Sequence, residues 1–303
     1  MTKVKAKTIY VIDFNTIEKH VKWLIDNRVN KHDFRQYPSK VILLDFSRSR
    51  FLKPYHIAPL ACLIHEYQNK GFIVRLSKIP KLIKDYLDSF DFDQFCHTGQ
   101  STNNFVPTDT KTFPLWHIVE PRKEFYIIEV QKYFENNHFS GQDLFVLGNS
   151  LAELMNNIFD HALSKIPGYT FTQLNTRSNQ IITCVCDFGI GIPASVNKFL
   201  KSTGNPILTN DLALTKALER NFSTLTRPHN RGFGWNNIFE RLQSLNNKLL
   251  IVSNNALYLM QHDGTIKSQL LNSNFPGTLV VIYLNTKNLP VKEEEQSDEL
   301  MLL

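Results

Sequence analysis

Apolar positions in the first hundred residues switch between two periods. TIYVIDF (8–14) is a short apolar run that predicts a strand, and Ile17, Val21, Leu24 and Ile25 recur at helical spacing and predict a helix over 17–27. KVILLDFS (40–47) predicts a second, strongly apolar strand. A second helix follows over 56–69, stopped by Lys70-Gly71, and then the strand FIVRLS (72–77). Pro80 opens a third helix that reaches about Ser89. Strands alternating with helices predict a small α/β domain over residues 1–97.

Periodicity then lapses. Residues 98–119, including TGQSTNNFVPTDTKTFP, are polar with Thr, Asn, Gly and Pro, and predict a linker. A second α/β domain is expected over 120–288. It starts with a helix at 124–136 and a longer one at 142–162, where Leu144, Leu147, Leu151, Leu154, Met155 and Ile158 form one stripe. GYTFTQLNT and NQIITCVCDF predict two strands joined by a hairpin at Arg177-Ser178. Residues 192–230 predict a long irregular stretch, followed by a helix over about 235–246. KLLIVSNN, ALYLMQ and GTLVVIYLN predict the closing strands, and 289–303 a flexible charged tail.

Composition narrows the class. Of 303 residues, 42% are hydrophobic and 20% charged, which fits a chain with buried cores. No apolar run approaches the ~18 residues of a membrane span, and the N-terminus lacks the pattern of a secretory signal. Four cysteines are too few for a disulfide scaffold. Cys184 and Cys186 share a strand face without a second pair at metal spacing, so buried thiols are expected in a reducing cytoplasm. The net charge of +6 is uneven: residues 1–100 hold 17 Lys/Arg against 10 Asp/Glu. An acidic partner suits that half. The charges are scattered, with no arginine-rich run, which argues against specific nucleic-acid binding.

Glycine is scarce, 12 in all, yet four fall in two GxG pairs, Gly189/Gly191 and Gly232/Gly234. The first pair follows Asp187 at a strand end. An Asp there can accept a hydrogen bond from an exocyclic amine, and the glycines let a flat ring or phosphate approach the backbone. Arg231 and the second pair open a helix, whose free N–H groups favour phosphate. Glu153 and Asn157, four apart, project from one side of the 142–162 helix, with Asp160 and His161 one turn on. Taken singly, these are a strand-ending turn, a hinge and a solvated helix face.

Taken in order, ELMNNIFDHA, DFGIGIP, RGFGWNNIFERL and PGTLVVIYL resemble the boxes of the GHKL, or histidine-kinase-like, ATPases over about 120–286. The resemblance implies a Bergerat-type α/β sandwich that binds ATP with Mg²⁺. It implies that Asn157 ligates Mg²⁺ and that Glu153 orients or deprotonates the attacking water or hydroxyl. Asp187 would read adenine, with Gly189 and Gly191 shaping that wall. Gly232, Gly234 and Arg231 would lie under the phosphates, and Thr278 near the adenine end. Residues 192–230 would form a lid whose Lys198, Lys201, Arg220 or Arg227 reaches the γ-phosphate. Trp235 stands where the family usually has Leu.

The segment VILLDFSRSRFLKPYHIAPLACLIHEYQNKGFIVRLS resembles a STAS domain, the fold of anti-anti-sigma factors, over about 8–95. That family places a phosphorylatable Ser or Thr at the helix start. Lys53-Pro54-Tyr55-His56 stands there instead, so a phosphoswitch of that type is not expected. No phosphoacceptor His motif precedes residue 120, and the chain ends about 20 residues after the last strand, which argues against a histidine kinase and against relatives with a transducer domain. The expectation is a cytoplasmic ATP-binding regulator, similar to anti-sigma-factor serine kinases. It would hydrolyse ATP or phosphorylate a Ser/Thr of a protein partner, and a homodimer is allowed. The alternatives are a nucleotide-switched interaction module without turnover, and an ATPase subunit of a multi-protein system such as a defence complex.

Overall fold

The computed structural model describes residues 6–32, 37, 39–98, 109–118, 122–161, 168–219, 222 and 234–292, with the side chains of 157–161 and 234–237 outside that description. The chain is mixed α/β. Strands β1 (Lys7–Tyr10), β2 (Val41–Asp45) and β3 (Ile73–Ser77) form a parallel sheet in that order. The connections between them carry α1 (Ile17–Asp26) and α2 (Pro54–Gln68), and α3 (Lys81–Asp88) and α4 (Phe92–Thr98) follow. Parallel strands need such crossovers, and the right-handed rule puts both helices on one face.

A second sheet is antiparallel, in the order β4 (Thr112–Ile118), β5 (Gly168–Asn175), β6 (Gln180–Asp187), β8 (Ile266–Asn285), β7 (Lys248–Met260). Helices α5 (Lys123–Asn137), α6 (Phe145–His161) and α9 (Gly234–Ser244) contribute to the core on one face of it. Helices α7 (Ile192–Ser202) and α8 (Asn210–Ala217) pack together beside β7. No helix among the described residues is long and apolar enough to cross a membrane.

The first sheet's helices cover the other face of the second sheet. Helix α2 touches β5 and β6, and α1 touches β8. Twelve of the fifteen residues of α2 are buried, because it lies between two sheets and has almost no solvent side. Side chains on β6 divide accordingly: Ile182, Cys184 and Cys186 join the core with α1 and α2, while Ile181 and Val185 join the core with α5, α6 and α9. The Cys62 thiol of α2 contacts the Cys186 carbonyl (3.5 Å), and His65 Nδ1 lies 2.7 Å from the Tyr169 hydroxyl of β5.

Four expectations need correction. Within the supposed 98–119 linker, Thr112–Ile118 is an edge strand paired antiparallel with β5. The supposed irregular stretch at 192–230 contains α7 and α8. The two strands expected at 248–260 are one, with irregular pairing around Ser253 and Asn254, against a 20-residue β8. The start of the 289–303 tail is tied down: Val291 bridges Gln142, the Lys292 N–H donates to Gly141 O (2.9 Å) and its ammonium pairs with Glu135 (2.8 Å). The hairpin at Arg177-Ser178 is present, its amides held by Asn175 Oδ1.

Candidate functional site

Three polar residues cross neighbouring strands in one row. Asp187 ends β6 and pairs in register with Thr278 of β8, which pairs with Ser253 of β7. By strand alternation, Asp187 shares its face with Val185, Thr278 with Val280, and Ser253 with Ile251, all of which belong to the core with α6 and α9. The row therefore faces the layer that contains α6. Glu153 is half-buried on α6, and Asn157 follows it by one turn on the same helix.

Asp187 is buried, with 3% exposure. Its Oδ1 accepts the Gly189 N–H at 2.7 Å, and the Thr278 backbone amide also favours the charged form. Burial nevertheless dominates and pushes the carboxyl up to about 7, because two amide dipoles only partly replace lost water. The turn is tight around it. Gly277 has φ +94°, and a Cβ there would lie 2.5 Å from Gly189 N and 2.7 Å from Asp187 Oδ1.

Hydrogen-bond accounting fixes what the row can still bind. Ser253 Oγ donates its one proton to Gly277 O (2.9 Å) and accepts the Ile192 N–H (2.8 Å). Its contact with Thr278 Oγ1 (2.9 Å) must then run from Thr278 to Ser253. Thr278 has spent its proton, so its remaining capacity is as an acceptor. With the Asp187 carboxylate, the row presents acceptors side by side, which suits a ligand amine.

Asn254 holds the adjoining turn. It sits at φ +51°, which Asn tolerates; its Nδ2 donates to Ile190 O (3.0 Å) and its Oδ1 accepts the Ala194 N–H (3.2 Å). Gly191, φ +84°, has no room for a Cβ against the Asn254 side chain. Ser253 and Asn254 thus cap the start of α7 from β7: Ile192 and Ala194 donate to them, and Pro193 between has no N–H. These donors are occupied, so α7 does not offer its first turn to an anion.

Of the residues singled out in the sequence, Asp187, Gly189, Gly191 and Thr278 come together, and Glu153 and Asn157 lie on the helix that their face of the sheet meets. Gly234 opens α9, whose position beside α6 is set by their packing. Arg231, Gly232, Arg220, Arg227 and the Asn157, Asp160 and His161 side chains lie outside the described residues. Lys198 and Lys201 are on α7. Sequence reasoning missed Ser253 and Asn254; the signal was the polar run Ser253-Asn254-Asn255 breaking the apolar β7. No family model matches the chain, and no curated protein matches it.

Proposed function

We propose that the chain is an Mg²⁺-dependent ATP-binding regulatory protein of the histidine-kinase-like type, with a STAS-like α/β module at its N-terminal side. The supporting observation is the row of acceptors formed by Asp187 and Thr278, facing the layer that holds Glu153 and Asn157. A 6-aminopurine offers an N–H donor to such a pair, whereas a 6-oxopurine sets an acceptor at that position against the oxygen facing it.

In this reading Asp187 accepts from the purine amino group, and Thr278 lines the same wall. The carbamoyl of Asn157 and the carboxylate of Glu153 give α6 a pair of oxygen donors, the chemistry a hard cation prefers, and Asn157 would hold Mg²⁺. The ion, when bound, neutralises phosphate charge. Glu153 would take the proton of an attacking water, or of a Ser/Thr hydroxyl on a partner protein. Gly234, with Gly232 and Arg231, would meet the phosphates at the start of α9.

The N-terminal module is read as the partner-docking part. At the position where STAS proteins carry a phosphoacceptor, Pro54, Tyr55 and His56 are buried, and His56 Nδ1 accepts the Lys53 N–H (3.0 Å). That helix start is a packing element, which favours a scaffold over a phosphoswitch.

ATP hydrolysis and partner phosphorylation with Mg²⁺ test the reading, comparing wild type with Glu153→Ala and Asn157→Ala. Turnover lost on Glu153→Ala with binding retained supports the enzyme. Binding with no turnover above that of Glu153→Ala favours the nucleotide-switched module. No nucleotide binding by wild type removes the proposal.

A further inference from the structure

Arg28 of the N-terminal module reaches the turn beside the candidate purine wall. Arg28 follows the end of α1, and its guanidinium is forked onto Glu66 of α2: Nε donates to both carboxylate oxygens (2.8 and 3.0 Å), and Nη2 donates to Oε1. Glu66 also accepts the Val29 N–H (3.2 Å). So fixed, the guanidinium carbon stands 4.7 Å from the ring centroid of Phe188. Phe188 is buried, and its ring meets Phe275 of β8 edge-on at 5.9 Å.

Phe188 is the residue between Asp187 and Gly189. Its ring joins the core with α1 and α2, on the face opposite that of Asp187. The same short turn is gripped from both sides: Arg28 and Phe275 hold the ring, and the Asp187 carboxylate holds the next N–H. Gly277 lies so close to the turn that a Cβ there would meet Gly189 N at 2.5 Å.

We propose that Arg28, clamped by Glu66, is a positioning residue for recognition of the 6-aminopurine by Asp187, so that the seating of the N-terminal module sets how sharply the site tells ATP from a 6-oxopurine nucleotide. This rests on the ATP-binding reading above. Arg28 touches no ligand in this account; it acts through Phe188. A planar, forked guanidinium suits the task because it can bind a carboxylate at its edge and a ring on its face.

The test uses the full chain and two defined probes, ATP and inosine triphosphate, with Mg²⁺, titrated calorimetrically into wild type, Arg28→Ala and Glu66→Gln. Wild type is expected to favour ATP by about a hundredfold. Arg28→Ala is expected to weaken ATP about five- to tenfold while leaving inosine triphosphate within about twofold, so that the preference contracts. Glu66→Gln should move the same way by less. A merely structural role would lower the melting temperature and leave the preference unchanged, and that result overturns the proposal while the ATP-binding reading stands. Absence of nucleotide binding in wild type overturns both. If Arg28→Ala does not fold, Arg28→Lys carries the test, because it keeps the charge opposite Glu66 and loses the fork and the planar stack; an unchanged preference in Arg28→Lys then overturns the proposal.

Discussion

The Ser253 hydroxyl stands 2.9 Å from the Thr278 hydroxyl, and the proton between them belongs to Thr278. Ser253 has already given its own to Gly277 O. One serine thus caps α7, fixes the carbonyl of the tightest glycine of the site, and turns a threonine into an acceptor.

Ser253→Ala removes three hydrogen bonds at a buried position. The Ile192 N–H and Gly277 carbonyl lose a partner, at about 1–3 kcal/mol for each group left unsatisfied in a dry site. The expected result is a clear drop in urea midpoint with unchanged slope. The Thr278 hydroxyl, released from Ser253, could then donate, and discrimination for an amine should weaken in the same variant.

Asp187 should set the pH response of binding and of stability in opposite senses. Its carboxyl is held near 7, above its ordinary 3.8. The folded state keeps this proton between those values while the unfolded state has lost it, so this group's contribution to stability falls as pH rises from about 4 to 7. Over that span the loss is on the order of 4 kcal/mol. Asp187→Asn removes the penalty, and its melting temperature should exceed that of wild type at pH 8, with the gap closing towards pH 4. ATP affinity in wild type should fall as pH drops below about 7, because protonation turns one carboxylate oxygen into a donor and weakens the other as an acceptor.

Three desolvated histidines act the other way. Burial holds His56 at about 4, with the Lys53 charge adding to that and the Phe14 carbonyl opposing it; burial and nearby His65 hold His117 at about 4. His20 is also lowered, by burial and by His56. These groups bind protons more readily when unfolded, so the stability they confer is full above about 6.5 and is lost as pH falls towards 4. His56 alone corresponds to about 3 kcal/mol over that window. Urea titrations of Asp187→Asn at pH 7.5 and 5.0 isolate this arm, and the variant should be less stable at pH 5.0.

Gly277→Ala should be the most damaging single methyl in the site. The position needs φ +94°, and the added carbon would press on Gly189 N and the Asp187 carboxylate. A loss of about 3 kcal/mol or more is expected from left-handed strain and the clash together, read as the unfolding midpoint. Gly141→Ala is the control. Gly141 has φ +80° with open space around it, so it isolates the cost of conformation alone.

Much of the helical framework was legible because α1, α2 and α6 have apolar stripes or apolar surroundings that repeat at helical spacing. Strand β4 was hidden by its setting. Pro114 lies inside it, and only an edge strand with irregular pairing between Phe113 and Trp116 tolerates that. Helix α7 was obscured because its caps come from Ser253 and Asn254, some sixty residues later, and no local signal reports them. Asp187 and its glycines were readable since a turn needs them nearby in sequence. The docking of α2 between two sheets had one signal, a helix apolar on nearly every side, whereas the polar stretch after it suggested a separate unit. The Arg28–Phe188 contact depends on that docking and had none.

Isothermal titration of ATP with Mg²⁺ into wild type and into Asp187→Asn at pH 8 decides whether Asp187 reads the purine. Saturable one-site binding to wild type is expected, and its loss, by about a hundredfold or more, in a variant that is at least as thermostable. Equal binding by the two proteins, or none by wild type, would contradict it.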